Sequence, residues 1–281
     1  MRAATPATQR RLIINADDFG FTPSVTAGIL EAHAAGTVTS TSMLVHCAGW
    51  EDGVRQARAI PTLGVGLHLN LLVGAPLAPV PSLTDARSGR FLPLATIVRR
   101  ALSGRIDDGE VTAECAAQLA ALRDAGIRCT HIDSHRHVHA LPVIRRAVAA
   151  VAAGLGLPLR RPVESHLSAA GGVRSQIHRA LIGASWRVSS AGAARTRAPD
   201  HFIGVSMQGS PRFARHFAAA IDGLSSGTTE IMVHPGRVDD ALGQVDGYTW
   251  QRETELAALL SQALRERLRR GDPSLIGFGG L

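Results

Sequence analysis

Histidine and aspartate alternate in one short segment of the chain. His131, Asp133, His135, His137 and His139 occupy every second position of the sequence THIDSHRHVH. In an extended chain, alternate side chains project to one face, so this pattern predicts four imidazoles and one carboxylate on the same side of a strand. A surface histidine tract is the alternative, but apolar residues occupy the other face here. Because such a face makes a poor core and a good environment for a metal ion, the segment predicts a metal site.

Two adjacent carboxylates follow a different apolar run. Asp17 and Asp18 come directly after Leu12–Ala16. Two carboxylates at a buried strand end repel each other and resist desolvation unless a cation or a proton is present. An N-cap pair for the next helix is the alternative, but Thr22 and Pro23 already provide that start. We therefore expect the aspartate pair to have a chemical function.

Single histidines end two further apolar runs. His68 follows the run Gly64–Leu67, and His234 follows Glu230–Val233. Active groups of parallel α/β proteins gather where the strands end, so we expect both histidines beside the aspartates. One aspartate and two histidines would leave open positions on a divalent ion, which lowers the pKa of bound water and polarises a carbonyl. Hydrolysis also needs a base and an acid, which a second aspartate and His234 could provide. The sequence predicts metal-assisted hydrolysis of an amide or ester.

The elements that must position these residues alternate along the chain. The predicted strands are Leu12–Ala16, Thr39–Val45, Gly64–Leu69, Cys129–Ser134, Leu159–Val163, Phe202–Ser206, Glu230–Val233 and Ser274–Gly277. The predicted helices are Pro23–Ala35, Asp108–Ala125, Pro142–Ala153, Gln176–Trp186, Pro211–Ile221 and Thr249–Arg270. Seven or eight strand–helix units favour an α/β fold, a mostly parallel sheet or a (β/α) barrel. We expect one barrel domain over residues 11–281 after a flexible tail of residues 1–10. The stretches 73–92 and 171–200 fit no unit and are either lids or insertions.

Composition excludes several classes of protein. The 281 residues carry a net charge of +7 without any lysine. A basic balance suggests nucleic-acid binding, but the arginines stand in ones and twos and tyrosine occurs once, which is unlike a stacking platform. Three widely spaced cysteines indicate reduced thiols, and no apolar run is long enough to span a membrane. We expect a cytoplasmic protein that binds no nucleic acid and has no membrane span.

Four motifs of the chain resemble the YdjC-like carbohydrate deacetylases, a family that includes chitooligosaccharide and hopanoid-associated deacetylases. The motifs are NADDFG at 15–20, GLHL at 66–69, THIDSHRHVH at 130–139 and MVHPG at 232–236. They occur in family order, and PDHFIG at 199–204 extends the similarity. The resemblance therefore covers nearly the whole chain.

The resemblance implies a distorted (β/α) barrel related to the polysaccharide deacetylases. It implies one divalent ion, magnesium or zinc, held by Asp18, His68 and His135. Asp17 would be the base that activates water, and His234 the acid that protonates the departing amine. The implied reaction removes an acetyl group from an N-acetylated amino sugar and releases acetate. Relatives also suggest a homodimer.

The remaining residues of the histidine segment are candidates for the substrate pocket. His131, His137 and His139 would line it, together with Asp133 and Arg136.

Two other functions use the same residues. A metal-dependent phosphoesterase on a related barrel would bind two or three ions between several carboxylates, and few acids stand at the strand ends beyond Asp17, Asp18 and Asp133. One ion per chain favours the deacetylase. A catalytically silent sugar-binding protein would need neither Asp17 nor His234.

Overall fold

Seven parallel strands form the centre of the computed structural model, which describes residues 9–164, 172–188 and 195–281. The strands are β1 (Arg10–Phe19), β2 (Ser40–Met43), β3 (Gly64–Leu69), β4 (Ile132–Ser134), β5 (His201–Ile203), β6 (Gly227–Val233) and β7 (Ser274–Leu275). The sheet order is β4-β3-β2-β1-β6-β5, and β7 pairs with the first half of β1. Because every pairing is parallel, all carboxyl ends meet at one edge.

The sheet curls into the predicted distorted barrel. Isolated parallel bridges join Ile132 to Leu159 and Glu164 to Phe202. The segment 159–164 therefore lies between β4 and β5 and connects the two outer strands. The strand predicted at Leu159–Val163 is present only as these bridges.

Ten α-helices surround the described strands. They are α1 (Pro23–Ala34), α2 (Trp50–Ala59), α3 (Leu94–Leu102), α4 (Asp108–Asp124), α5 (Pro142–Gly154), α6 (Val173–Val188), α7 (Phe213–Asp222), α8 (Asp240–Val245), α9 (Trp250–Leu260) and α10 (Gln262–Arg269). The sequence patterns do not predict α2, α3 or α8, and they predict α9 and α10 as one helix. Ser261 separates those two helices because its backbone is extended and its side chain caps α10 by accepting a hydrogen bond from the Leu264 amide.

The core lies on both faces of the central strand β1. Leu12, Ile13, Ile14, Ala16 and Phe19 are all fully buried, as expected for a strand with the barrel interior on one side and helices on the other. β1 begins at Arg10, which pairs with Gly227, so the strand starts inside the predicted tail. Residues 1–8 of that tail lie outside the described residues.

The stretches 73–92 and 171–200, which fitted no predicted strand–helix unit, differ in structure. In the stretch 73–92, the backbone amides of Leu77 and Ala78 donate to the buried Glu114 side chain of α4. Thr84 and Phe91 form a bridge there. In 171–200 the main element is α6, longer than the predicted helix, whereas 171 and 189–194 lie outside the described residues. None of the helices in the described ranges has the length and hydropathy that crossing a bilayer requires.

Candidate metal centre and active site

Asp17 and Asp18 lie at the carboxyl end of β1, and an irregularity in the strand separates their environments. The register with β2 shifts between Ala16 and Phe19, and Asp18 has a left-handed backbone with φ 72°. Both carboxylates are buried. The Asp17 side chain contacts an arginine, whereas the Asp18 side chain contacts two histidines.

Asp18, His68 and His135 form a buried cluster that could hold a metal ion. The Oδ1 atom of Asp18 lies 3.0 Å from Nδ1 of His135 and 3.3 Å from Nε2 of His68. Ligand atoms about 2.0–2.2 Å from one ion would be separated by roughly this distance. The three side chains therefore fit a divalent ion.

Asp133 supports this cluster from behind. Its Oδ1 atom accepts a hydrogen bond of 2.6 Å from Nδ1 of His68, which leaves Nε2 of that ring facing Asp18. A carboxylate behind a ligating histidine is the usual way to fix its tautomer and orientation. Burial lowers the pKa of His68, but Asp133 and Asp17 raise it to about 10. The carboxylates thus favour positive charge at this position.

The histidine segment is not extended throughout, and here the prediction was wrong. β4 ends at Ser134, and residues His135–Ala140 form a short 3-10 turn in which Arg136 and His137 have left-handed backbones, with φ 53° and 54°. This turn is closed by the His139 amide, which donates to the Ser134 hydroxyl. The alternation of side chains therefore stops after Ser134.

The five candidate pocket residues consequently separate into two groups. Arg136 and His137 line a cavity beside the metal cluster. His131, Asp133 and His139 are buried and do not line this cavity. The prediction that all five line one pocket is therefore corrected.

The two buried histidines have structural partners. The His131 ring stacks on Phe278 with 3.7 Å between centroids, and burial lowers its pKa to about 3. His139 contacts Ser134 and the Arg160 carbonyl, and burial lowers its pKa to about 4.

Arg160 is a central residue of the site that the sequence analysis missed. Its guanidinium is fully buried and binds both oxygens of Asp17, at 2.6 and 2.7 Å. It also lies 2.8 Å from Asp133 and donates to Glu230 at 2.7 Å. Burial raises the pKa of Asp17, but Arg160 holds it well below its usual range. The same burial raises the pKa of Glu230 to about 7 against the pull of Arg160.

A second arginine binds the other oxygen of the metal cluster's carboxylate. Arg252 on α9 donates to Oδ2 of Asp18 at 2.7 Å and to Asp246 at 2.8 Å. Asp246 in turn lies 3.4 Å from Arg136. Burial raises the pKa of Asp18, but Arg252 and His135 hold it well below its usual range. The carboxylate is therefore ionised and fixed at both oxygens.

His234 follows the last residue of β6 and lies beside the buried Glu255 and the partly buried Tyr248. Its backbone amide donates to Glu255 of α9 at 2.6 Å, and its ring centroid lies 5.6 Å from that of Tyr248. The Tyr248 hydroxyl donates to Glu255 at 2.5 Å. No spacing in the sequence marks Tyr248 or Glu255 as part of the site.

One cavity of about 860 Å³ brings the principal predicted residues together. Its lining includes Asp17, Asp18, His68, His135 and His234. Other lining residues are Arg136, His137, Ile177, His178, Leu181, Tyr248 and Arg252. His178, to which the sequence analysis gave no role, is thus part of the cavity wall. The arrangement combines a candidate metal cluster, an ionised carboxylate and an imidazole at one surface.

Two deacetylases are similar to this chain over nearly its whole length. The carbohydrate deacetylase of Brevibacillus brevis is 34% identical over 276 residues, covering 96% of this chain and 99% of the relative. The chitooligosaccharide deacetylase of Klebsiella pneumoniae is 34% identical, covering 92% and 93%.

A solved structure from Enterococcus faecalis has the same fold. It superposes with a TM-score of 0.77 at 29% identity, covering 97% of this chain and 99% of that one. Cellobiose-phosphate cleavage has been suggested for that protein. The YdjC-like protein family matches residues 11–270. The chain therefore belongs to the YdjC-like family.

Proposed function

We propose that this chain is a metal-dependent carbohydrate deacetylase that removes the acetyl group from an N-acetylated amino sugar and releases acetate. The observation that carries the proposal is one cavity lined by Asp17, His234 and the buried cluster of Asp18, His68 and His135. Relatives named as carbohydrate and chitooligosaccharide deacetylases support the substrate class.

The metal ligands in this proposal are Asp18, His68 and His135, which would hold one magnesium or zinc ion. Such an ion supplies a water of lowered pKa and polarises the acetyl carbonyl. Asp133 keeps the His68 ring in the tautomer that ligation needs.

Asp17 and His234 are the proposed base and acid. The Arg160 guanidinium keeps Asp17 ionised, which is the state in which the carboxylate can accept a proton from the attacking water. His234 gives a proton to the sugar nitrogen as the carbon–nitrogen bond breaks, so the amine leaves neutral and acetate remains.

Arg136 and His137 are proposed to contact the sugar. Both line the cavity, and the Arg136 side chain is about half exposed. Nδ1 of His137 is buried and has no hydrogen-bond partner among the described residues. Sugar hydroxyls can both donate to and accept from such groups.

A cytoplasmic location and a homodimer stay predictions.

The position of the Arg160 guanidinium favours a deacetylase over a phosphoesterase. Asp17, His68 and Asp133 make a second group of candidate ligands, where a binuclear enzyme would place another ion. The Arg160 guanidinium already bonds two of these three side chains. A single ion per chain is therefore the expectation, which equilibrium dialysis measures.

Acetate release from short N-acetylglucosamine oligomers, with and without added divalent metal, tests the proposal. We expect Asp17→Asn to abolish turnover while metal still binds, and His135→Ala to abolish it by losing the metal. Asp124→Asn, at an exposed residue of α4, is the matched control and should be active. Full turnover in Asp17→Asn would contradict the role of the base, and a metal-loaded protein that cleaves no acetylated sugar would contradict the substrate class.

A further inference from the structure

We infer that Glu255 and Tyr248 are positioning residues that hold the His234 imidazole in place for proton transfer. This inference rests on the proposed role of His234 as the acid. Neither residue belongs to the four matching motifs of the family, and both lie in the segment 246–255, which follows β6 after a short helix, α8.

Glu255 fixes the backbone of His234. The β1–β6 ladder ends at Val233, so the next amide, that of His234, lies beyond the ladder and donates to Oε2 of Glu255 at 2.6 Å. Glu255 is only 2% exposed, and a buried carboxylate is stable only with such donors. The residue is absent from the cavity lining, so it acts through His234 and not on the substrate.

Tyr248 restrains the imidazole ring of His234. Its own ring lies 5.6 Å from that of His234, tilted by 61°. Its hydroxyl donates to Oε1 of Glu255 and accepts from the Gly209 amide at 2.8 Å. The tyrosine is thus held at its far end by two different segments, and its ring limits where the imidazole can turn. Together the pair restrains both the main chain and the side chain of His234.

The consequence for catalysis follows from geometry. A displacement of about 1 Å of a catalytic group can cost roughly 100-fold in rate. Proton donation matters only in the transition state, so its loss lowers kcat and kcat/KM equally and leaves KM unchanged. The Glu255 carboxylate accepts from the His234 amide and the Tyr248 hydroxyl and not from the side chains of His68 or His135, so we expect metal affinity to be unchanged as well.

The test compares two acetyl substrates. The amide of an N-acetylglucosamine oligomer needs a proton on its leaving nitrogen, whereas para-nitrophenyl acetate has a leaving group that departs without one. We expect Glu255→Ala to lower the ratio of amide to ester turnover at least about 10-fold. Because both rates come from the same folded molecules, this ratio is independent of how much of the variant folds.

Two conservative variants separate position from charge. Glu255→Gln keeps an oxygen that can accept from the His234 amide, so it should recover most of the ratio. Tyr248→Phe keeps the ring and loses the hydroxyl, so its ratio should fall between those of Glu255→Ala and the unaltered protein. A ratio in Glu255→Gln as low as in Glu255→Ala would overturn the positioning role.

Glu114→Ala is the matched control. Glu114 is also a fully buried glutamate that accepts from two backbone amides, but it does not line the cavity. Its variant should lose stability and keep the ratio. A ratio in Glu255→Ala equal to that in Glu114→Ala would overturn the inference alone, provided that His234→Ala lowers it. If His234→Ala leaves the ratio unchanged, the proposed acid is wrong and the inference fails with it.

Discussion

Replacing Arg160 by methionine should destabilise the protein strongly and in a pH-dependent way. The guanidinium is the common partner of Asp17, Asp133 and Glu230, all of them buried. Removing one partner of a buried ion pair costs about 3–5 kcal/mol, because the other charge is left in a medium of low dielectric constant. Three buried carboxylates lose the same cation here, so that range is a lower bound. At about 2–4 °C per kcal/mol for large domains, the unfolding temperature should fall by at least about 6 °C.

The sign of the pH dependence follows from the carboxyl pKa values. With Arg160 present, the pKa values of Asp17 and Asp133 lie below their ordinary value of 3.8. Arg160→Met removes the largest charge that opposes burial and leaves the smaller effect of His68, so we expect burial to raise the pKa values of the carboxyl groups above those of the unfolded chain. A group of that kind stabilises the fold below its unfolded pKa and loses this contribution as pH rises through its folded pKa. The loss of stability should therefore be smallest near pH 5 and largest near pH 8, by about 1.4 kcal/mol for each unit of pKa shift.

Urea unfolding followed by circular dichroism, at several pH values and with chelator present, measures this loss. Arg197→Met is the control, because the Arg197 guanidinium bonds the backbone carbonyls of Gly156 and Leu281. Its loss of stability should be small and independent of pH. An Arg160→Met loss below about 1 kcal/mol, or one equal at both ends of the pH range, would refute the reasoning.

Two further substitutions test packing around the site. A Cβ on Gly28 of α1 would lie 2.6 Å from the Cα of Gly236, in the turn after His234. Gly28→Ala should therefore displace this turn and lower kcat for acetate release about 10-fold or more, and an unchanged kcat would contradict this. His131 has a pKa of about 3 in the fold against an ordinary 6.5, so it contributes stability that is present above pH 6.5 and lost as pH falls. The phenylalanine ring of His131→Phe can stack on Phe278 in the same way but does not titrate. Between about pH 7 and pH 5 this variant should therefore lose roughly 2 kcal/mol less unfolding free energy than the unaltered protein. An equal loss in both proteins, measured by urea unfolding, would show that the imidazole is not the cause.

The alternation of strands and helices predicted a parallel α/β fold, the family resemblance implied the distorted barrel, and the strand-end residues could be predicted for one physical reason. Carboxyl ends of parallel strands meet at one edge, so the positions of Asp17, His68 and His234 after apolar runs were sufficient to bring them together. Element boundaries were less accurate where capping or a single bridge decides them, as at Ser261 and Leu159.

Arg160, Arg252 and Glu255 could not be predicted in the same way. Arg160 is 143 residues from Asp17, and Arg252 is 234 residues from Asp18. Neither pair has a local spacing that marks it, because each depends on how distant segments of the fold meet. The alternation in the histidine segment wrongly predicted that all five side chains share one face. That prediction requires an extended chain, whereas Arg136 and His137 have left-handed backbones.

The two buried arginines have a consequence for how the protein would acquire its ion. Arg160 neutralises the carboxylates behind the site, and Arg252 holds the free oxygen of Asp18. Each of the two carboxylates at the end of β1 therefore has an arginine of the chain as a counter-ion, which reduces the need for an external cation during folding. In many small metalloproteins the free energy of metal binding is needed for folding. Here we expect the scaffold to form first, so that an ion held by the proposed ligands would exchange with the surrounding pool while the polypeptide stays intact.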